Sequence, residues 1–281
     1  MIFFRPAENS SKMGTFQHNE SPSVAVYVRT QVTKQTSKMR LNEFTAVSTA
    51  RALLVPYDRR HVLTYHAWME DPAIQEATAS EPLTLEEEYE NQESWRASHD
   101  KLTFIVCQPL AAVEGGEGGT VQAGGPDAPE RMVGDVNLFL YPYEDEGSIA
   151  AVPGAVPEFC VGEVDIMIAD RQHRGKGLGR AVVQAFLYYV HRHLDGIMRE
   201  YAEDKDMTSP PRLKLLKAKI NQNNKTSIAL FERLGFEQEG AVDYFGEVKL
   251  VLRDLGRLAA EAPQGYAELV YSRDHSQDSN R

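Results

Sequence analysis

The chain has 281 residues, 41 of them Asp or Glu and 30 Lys or Arg, for a formal charge of -11. Its 42% apolar content is that of a globular protein able to bury a substantial core, and the acidic balance argues against a broad nucleic-acid surface, which depends on neutralising phosphates with Lys and Arg. No apolar run approaches the roughly 20 residues that span a bilayer, and two cysteines, Cys107 and Cys160, supply neither a disulfide framework nor a zinc site; the expectation is a reducing compartment, the cytoplasm with the nucleus also open, and neither a metal nor a membrane or nucleic-acid partner.

In chain order, residues 1–38 are rich in Ser, Thr, Gln and Asn without apolar periodicity and read as a flexible extension. Residues 52–56 read as a strand, 60–69 and 85–97 as helices, and 102–106 as a strand by its Thr, Phe, Ile and Val. Glycine and proline make 114–130 a flexible stretch. In 133–140 Val136, Leu138 and Leu140 alternate with Asp135, Asn137 and Phe139, and in 161–168 Val164, Ile166 and Ile168 alternate with Glu163, Asp165 and Met167. Further flexible stretches fall at 143–158 and 200–212. Residues 178–194 repeat apolar side chains at three- and four-residue steps, as a helix does. Residues 213–220 form a strand, 226–234 a helix capped near Asn224 and stopped by Gly235, and 245–252 a last strand. Strands interleaved with helices indicate one α/β domain built on a mixed sheet.

The segment with chemistry lies between the strand ending at Ile168 and the helix starting near Leu178: Arg171-Gln-His-Arg-Gly-Lys-Gly-Leu-Gly-Arg180. A helix start leaves backbone N–H groups without partners and concentrates positive charge, so it attracts anions, and glycines let a phosphate approach closely. A Walker loop would need Ser or Thr after Lys176, where Gly177 stands, and a dinucleotide fingerprint needs Gly-x-Gly-x-x-Gly where Gly175, Gly177 and Gly179 give Gly-x-Gly-x-Gly. What remains is Arg174-x-x-Gly177-x-Gly179 after an apolar strand.

With that spacing the chain resembles the GNAT acetyltransferase superfamily, whose signature here is Gln or Arg, two residues, Gly, one residue, then Gly or Ala. Asn224-Lys-Thr-Ser227-Ile-Ala-Leu-Phe-Glu-Arg-Leu-Gly235-Phe236 resembles the second coenzyme-contacting helix of that superfamily. Met39-Arg-Leu-Asn42, Thr78-Ala-Ser-Glu-Pro-Leu-Thr-Leu-Glu86 and Met132-Val-Gly-Asp-Val-Asn-Leu-Phe-Leu140 are similar to its N-acetyltransferase 9-like branch. The resemblance implies a single domain over 39–255, with a mostly antiparallel mixed sheet of about six to seven strands and flanking helices. It also implies insertions near 110–130, 143–158 and 198–212, and a polar tail over 256–281.

It further implies acetyl-CoA as cosubstrate, held by the backbone of Ile166, Met167 and Ile168, by the loop from Arg174 through Gly175, Lys176, Gly177, Leu178 and Gly179 to Arg180, and by Asn224 and Ser227. Asn224 and Ser227 also suit a plain helix cap. The implied reaction is direct attack of an amine on the thioester through a tetrahedral oxyanion. An α-amine, with a pKa near 8, asks less of a base than a lysine near 10.4, so the expected acceptor is a protein's terminal amine, and the branch points to tubulin. Glu163 is the candidate base, with Asp165 and Asp135 as rivals. Phe231 occupies the position where many members of the superfamily carry a tyrosine acid, which keeps a non-catalytic acyl-CoA-binding or microtubule-associated module open as an alternative, beside a small-amine acetyltransferase. His66 and Trp68 suit a core and rim better than an acceptor cleft, and Glu86, Glu87 and Glu88 read as a solvated first helical turn.

Overall fold

The structure is a computed structural model and describes residues 41–78, 80–111, 119–143 and 158–273. Its strands are β1 (Thr45–Ser48), β2 (Leu53–Pro56), β3 (Lys101–Cys107), β4 (Thr120–Gln122), β5 (Met132–Pro142), β6 (Phe159–Ile168), β7 (Arg212–Asn221), β8 (Glu237–Gln238), β9 (Glu247–Leu252) and β10 (Ala267–Ser272). The helices are α1 (Val62–Met69), α2 (Pro72–Thr78), α3 (Leu85–Ala97), α4 (Leu178–Arg192), α5 (Leu194–Asp204), α6 (Lys225–Arg233) and α7 (Leu255–Leu258). All strands join one ten-stranded sheet in the order β4-β10-β1-β2-β3-β5-β6-β7-β9-β8. This is the expected single α/β domain with more strands than the six to seven expected. The additional ones are mostly short: β1 has four residues, β4 three and β8 two.

The sheet's two faces have different cores. The alternating Val136, Leu138, Leu140 and Val164 face α4, α5, α6 and α7, whose Val182, Phe186, Tyr189, Ile197, Tyr201, Phe231 and Leu255 complete the larger core. On the other face Tyr57, Val62, Tyr65, Met69 and Ile74 of the α1–α2 region pack on Leu53, Val55, Ile105 and Tyr271. Past β5, Met167 at the end of β6 and Ala169 after it still join that second core, while the rest of this face carries the small cluster Val161, Leu215 and Val251 with Tyr143, to which no helix residue belongs among the described residues. Cys107 and Cys160 are buried free thiols.

Three expectations are corrected. The helix foreseen over 178–194 is two: α4 ends at Arg192, His193 takes a non-helical turn, and α5 continues through residues read as flexible, burying Ile197, Met198, Tyr201 and Ala202. The polar tail over 256–281 contains most of α7 and all of β10, and β1 pairs along its length with β10. Within 114–130, Thr120–Gln122 forms β4, parallel to β10. The extension 1–38 and most of the insertion at 143–158 lie outside the described residues.

Candidate active site

β6 and β7 pair in parallel from Phe159↔Arg212 to Glu163↔Lys217 and no further, although β6 runs on to Ile168 and β7 to Asn221. β7 keeps β9 as its other neighbour throughout, from Leu216↔Leu252 to Asn221↔Glu247. The sheet therefore opens as a wedge between two strands that remain anchored on their outer sides.

Register shows which backbone groups line the wedge. The bonds from Ala169 N–H to the Val133 carbonyl at 2.8 Å and from Tyr143 N–H to the Phe159 carbonyl at 3.0 Å place the odd-numbered residues of β6 in the hydrogen-bonded pairs with β5. Successive residues of a strand aim their polar groups to opposite sides, so the N–H and C=O of Ile166 and the N–H of Ile168 face the wedge. Met167, expected beside them, is paired with Asp135 and turns its backbone groups to β5. The Ile168 carbonyl accepts from Arg174 Nε at 2.6 Å.

The loop after β6 carries the wedge to a helix start. Gly175 and Gly177 have φ of 71° and 76°, and a side chain on either would meet nothing within 4 Å, so conformation rather than space reserves both positions for glycine. Gly177 is the N-cap of α4 and provides no side-chain acceptor, leaving the N–H groups of Leu178, Gly179 and Arg180 available to an anion. Arg171 is paired with Asp71 at 2.7 Å, Arg174 binds the Ile168 and Ala169 carbonyls, and Arg51 donates to the Lys176 carbonyl at 2.7 Å. These contacts hold the loop, while the exposed Lys176 and Arg180 side chains make no ion pair among the described residues. A Cβ on Gly179 would lie 2.9 Å from Leu230 Cδ1, so that glycine lets α4 approach α6.

The opposite lip is the end of β7 running into α6. Asn224 Oδ1 accepts the Ser227 N–H at 3.1 Å, a true helix cap, and both residues lie where the wedge meets the start of α6. Phe231 is 2% exposed, edge-on to Phe236 with centroids 5.0 Å apart, and serves the core.

The sheet face opposite α4 supplies the carboxylates. Glu163 is buried and its Oε2 lies 2.9 Å from Lys217 Nζ, at the last rung of β6–β7 pairing. Asp165, two residues on and on the same face, lies where the strands have parted. Burial, then the charges of Glu163 and Asp135, push its carboxyl up to about 7. Asp135 is 2% exposed; burial raises its carboxyl to about 6 against the opposing hydrogen bonds from Asn137 Nδ2 at 2.8 Å and Tyr65 Oη at 3.4 Å. Asn137 is the cross-strand partner of Asp165, and its Oδ1 is buried with no hydrogen-bond partner. The alternation in β5 already placed Asn137 and Asp135 on one face, whereas Lys217 and Tyr65 reach the site only through strand register and helix packing and left no local signal.

Around this centre, His66 is partly exposed on α1 with a buried Nδ1 that has no hydrogen-bond partner, and Trp68 packs against Tyr65. The acidic turn of α3 is not uniformly solvated. Glu87 closes a capping box with Thr84, and Glu88 is 2% exposed, its carboxyl raised by burial.

The Acetyltransferase (GNAT) domain family matches residues 51–237. The N-acetyltransferase 9-like protein of Schizosaccharomyces pombe is 38% identical over 225 residues, covering 76% of this chain and 98% of that protein. The alpha/beta-tubulin-N-acetyltransferase 9 of Drosophila melanogaster is 40% identical over 214 residues, 75% of this chain and 88% of that protein. The human protein of the same name is 39% identical over 215 residues, 76% of this chain and 86% of that protein. Among solved structures, spermidine N-acetyltransferase from Vibrio cholerae in complex with CoA and spermine is similar with a TM-score of 0.48 at 16% identity, over 72% of this chain and 95% of that one. With the family matched across the wedge, the glycine loop and α6, the chain belongs to the GNAT acetyltransferases, as a relative of the N-acetyltransferase 9-like proteins.

Proposed function

We propose that this acetyltransferase takes acetyl-CoA into the wedge between β6 and β7 and transfers its acetyl group to the terminal α-amine of a polypeptide, with Asp165 as base. The observation that carries the reading is the coincidence of unpaired strand edge, helix start and carboxylate at one opening. The Ile166 N–H and C=O suit the amides of a pantetheine arm laid down as an added strand, and the amides of Leu178, Gly179 and Arg180, with Lys176 and Arg180 nearby, suit a pyrophosphate. Asn224 and Ser227 form the opposite lip.

Asp165 serves better than Glu163 as base because Glu163 is engaged by Lys217. With a carboxyl at about 7, taking a proton from an α-ammonium of pKa about 8 is uphill by about 1.4 kcal/mol, against about 4.6 kcal/mol from a lysine near 10.4. One proton passes to Asp165 directly or through one water, the amine nitrogen bonds to the acetyl carbon, the carbon–sulfur bond breaks to release the thiolate, and the nitrogen gives up its second proton to solvent. The Ile168 N–H faces the place where the carbonyl oxygen gathers charge. No phenol stands at Phe231, and a thiolate of pKa about 8.5 leaves near neutral pH without a proton donor.

The relatives named for alpha/beta-tubulin make the terminal amine of a tubulin chain the first acceptor to test, and with it a cytoplasmic place of action. The purified protein is incubated with radiolabelled acetyl-CoA and peptides bearing free or blocked amino termini, tubulin sequences included. Label on free termini alone supports the reading. Label on polyamines and not on peptides, or coenzyme binding without transfer, overturns it.

A further inference from the structure

In a chain of net charge -11, β7 reads Arg-Leu-Lys-Leu-Leu-Lys-Ala-Lys-Ile-Asn. Register shows where its cations point. Lys219 and Lys249 are Cα partners across β7 and β9 and so share a face, and Lys217 shares it two residues earlier. The Lys217–Glu163 ion pair identifies it as the face of Asp165. The register shift at Cys160/Val161 lets Lys214 and Arg212 join them, with Lys214 Nζ 4.7 Å and Arg212 Cζ 4.7 Å from the Phe159 ring centroid. Lys217 Nζ stands 5.0 Å over the Tyr141 ring. The strip lies on the part of the sheet that α1, α2 and α3 do not cover.

Like charges placed directly opposite in an antiparallel pair are destabilising, yet Lys219 faces Lys249. Glu239 answers Lys249 at 2.7 Å, Glu163 answers Lys217 at 2.9 Å and Glu158 answers Arg212, while Lys219 makes no ion pair among the described residues. Lys219 stands two residues past Lys217 and Asp165 two past Glu163, so they occupy the same level on opposite lips of the wedge. From Lys219 back to Arg212 the strip runs roughly 23 Å at about 3.3 Å per residue, the length of about seven extended residues.

We propose that this strip is the docking track for an acidic acceptor: a polypeptide whose terminal amine reaches Asp165 and whose second to seventh residues carry acidic side chains that lie along Lys219, Lys217 and Lys214. The two ends of such a chain match the two signs of the site, the ammonium against Asp165 and Asp135 and the carboxylates against the lysines. A basic chain meets like charge along the track, which discriminates as strongly as the attraction does. The track rests on the assignment of the wedge as the transfer site.

The test is acetyl-transfer kinetics on peptides with one common first residue and Glu, Gln or Lys at positions two to seven. The expected kcat/KM for the Glu peptide is about tenfold above that for the Gln peptide, and the preference shrinks in about 0.5 M salt, where surface charges are screened. Lys219→Glu is expected to reverse the order of the Glu and Lys peptides, and Lys219→Gln to bring the ratio near one. Equal turnover of all three peptides, or a preference unchanged in both variants, overturns the track and leaves the transfer site standing. Equal turnover with inhibition by single-stranded RNA assigns the strip to a phosphate backbone and likewise overturns it. Absence of transfer to every free-amine peptide removes the transfer reading itself.

Discussion

Replacing Asp165 by Asn keeps the size of the side chain and removes its basicity. The expected result is a kcat lower by about 10²- to 10⁴-fold, with coenzyme affinity by calorimetry kept. In the wild type, kcat/KM should climb with pH through about 7 as Asp165 loses its proton, and Asp165→Asn should lack that step. The charge of Asp135 is one of the causes of the raised Asp165 carboxyl, after burial and Glu163. Asp135 has a second consequence, for stability. A carboxyl raised to about 6 in the folded chain, from about 3.9 unfolded, stabilises the fold fully below the unfolded value and ceases to do so as pH rises through the folded one. Asp135→Asn should therefore unfold later than the wild type at pH 8, by about 1–2 kcal/mol, with the advantage shrinking as pH falls through about 6; urea titrations at several pH values check this. No single residue type disclosed these differences. Glu163 and Asp165 are equivalent in the alternation of β6, and only Lys217, arriving from β7, separates them.

At the scale of elements, α4 shows what a local pattern carries. Its buried Leu178, Val182, Val183, Phe186, Leu187 and Val190 are the apolar stripe read from spacing, and the glycines before it are where a left-handed turn has to be. Gly177→Val places a β-branched residue at φ 76°, a conformation costing about 1–2 kcal/mol, and should shift the amides of Leu178 and Gly179 enough to weaken acetyl-CoA more than tenfold by calorimetry; affinity within twofold of the wild type would remove the loop from the binding site. Elsewhere local pattern was too thin. β1 has four residues and α2 buries only Ile74, too little periodicity to register. In α5 the apolar stripe was present, but the turn at His193 and the following Ser-Pro-Pro masked it.

Across the whole molecule, the β4-β10-β1 end of the sheet is secured by contacts between residues far apart in sequence. Tyr271 Oη donates to Asp127 Oδ2 at 2.6 Å, and His61 Nε2 lies 2.9 Å from the same oxygen. Burial alone would raise the Asp127 carboxyl, but these two bonds, the His61 charge and the Gly124 N–H hold it at about 2. Tyr271→Phe removes one donor from a buried carboxylate and should lower stability by about 1–3 kcal/mol; thermal denaturation with unchanged kcat at low temperature would locate that loss in the far end of the sheet rather than in the wedge.

From the sequence alone came the α/β class, the glycine loop, the two core faces of β5 and β6, and the family. All of these are written in short windows, because alternation and helical spacing are properties of neighbouring residues. Tertiary structure decided the wedge, the turning of Ile166 but not Met167 toward it, the engagement of Glu163 by Lys217, and the membership of β10 in the sheet. The reason is register: which residues of two distant strands face one another depends on how the whole sheet packs.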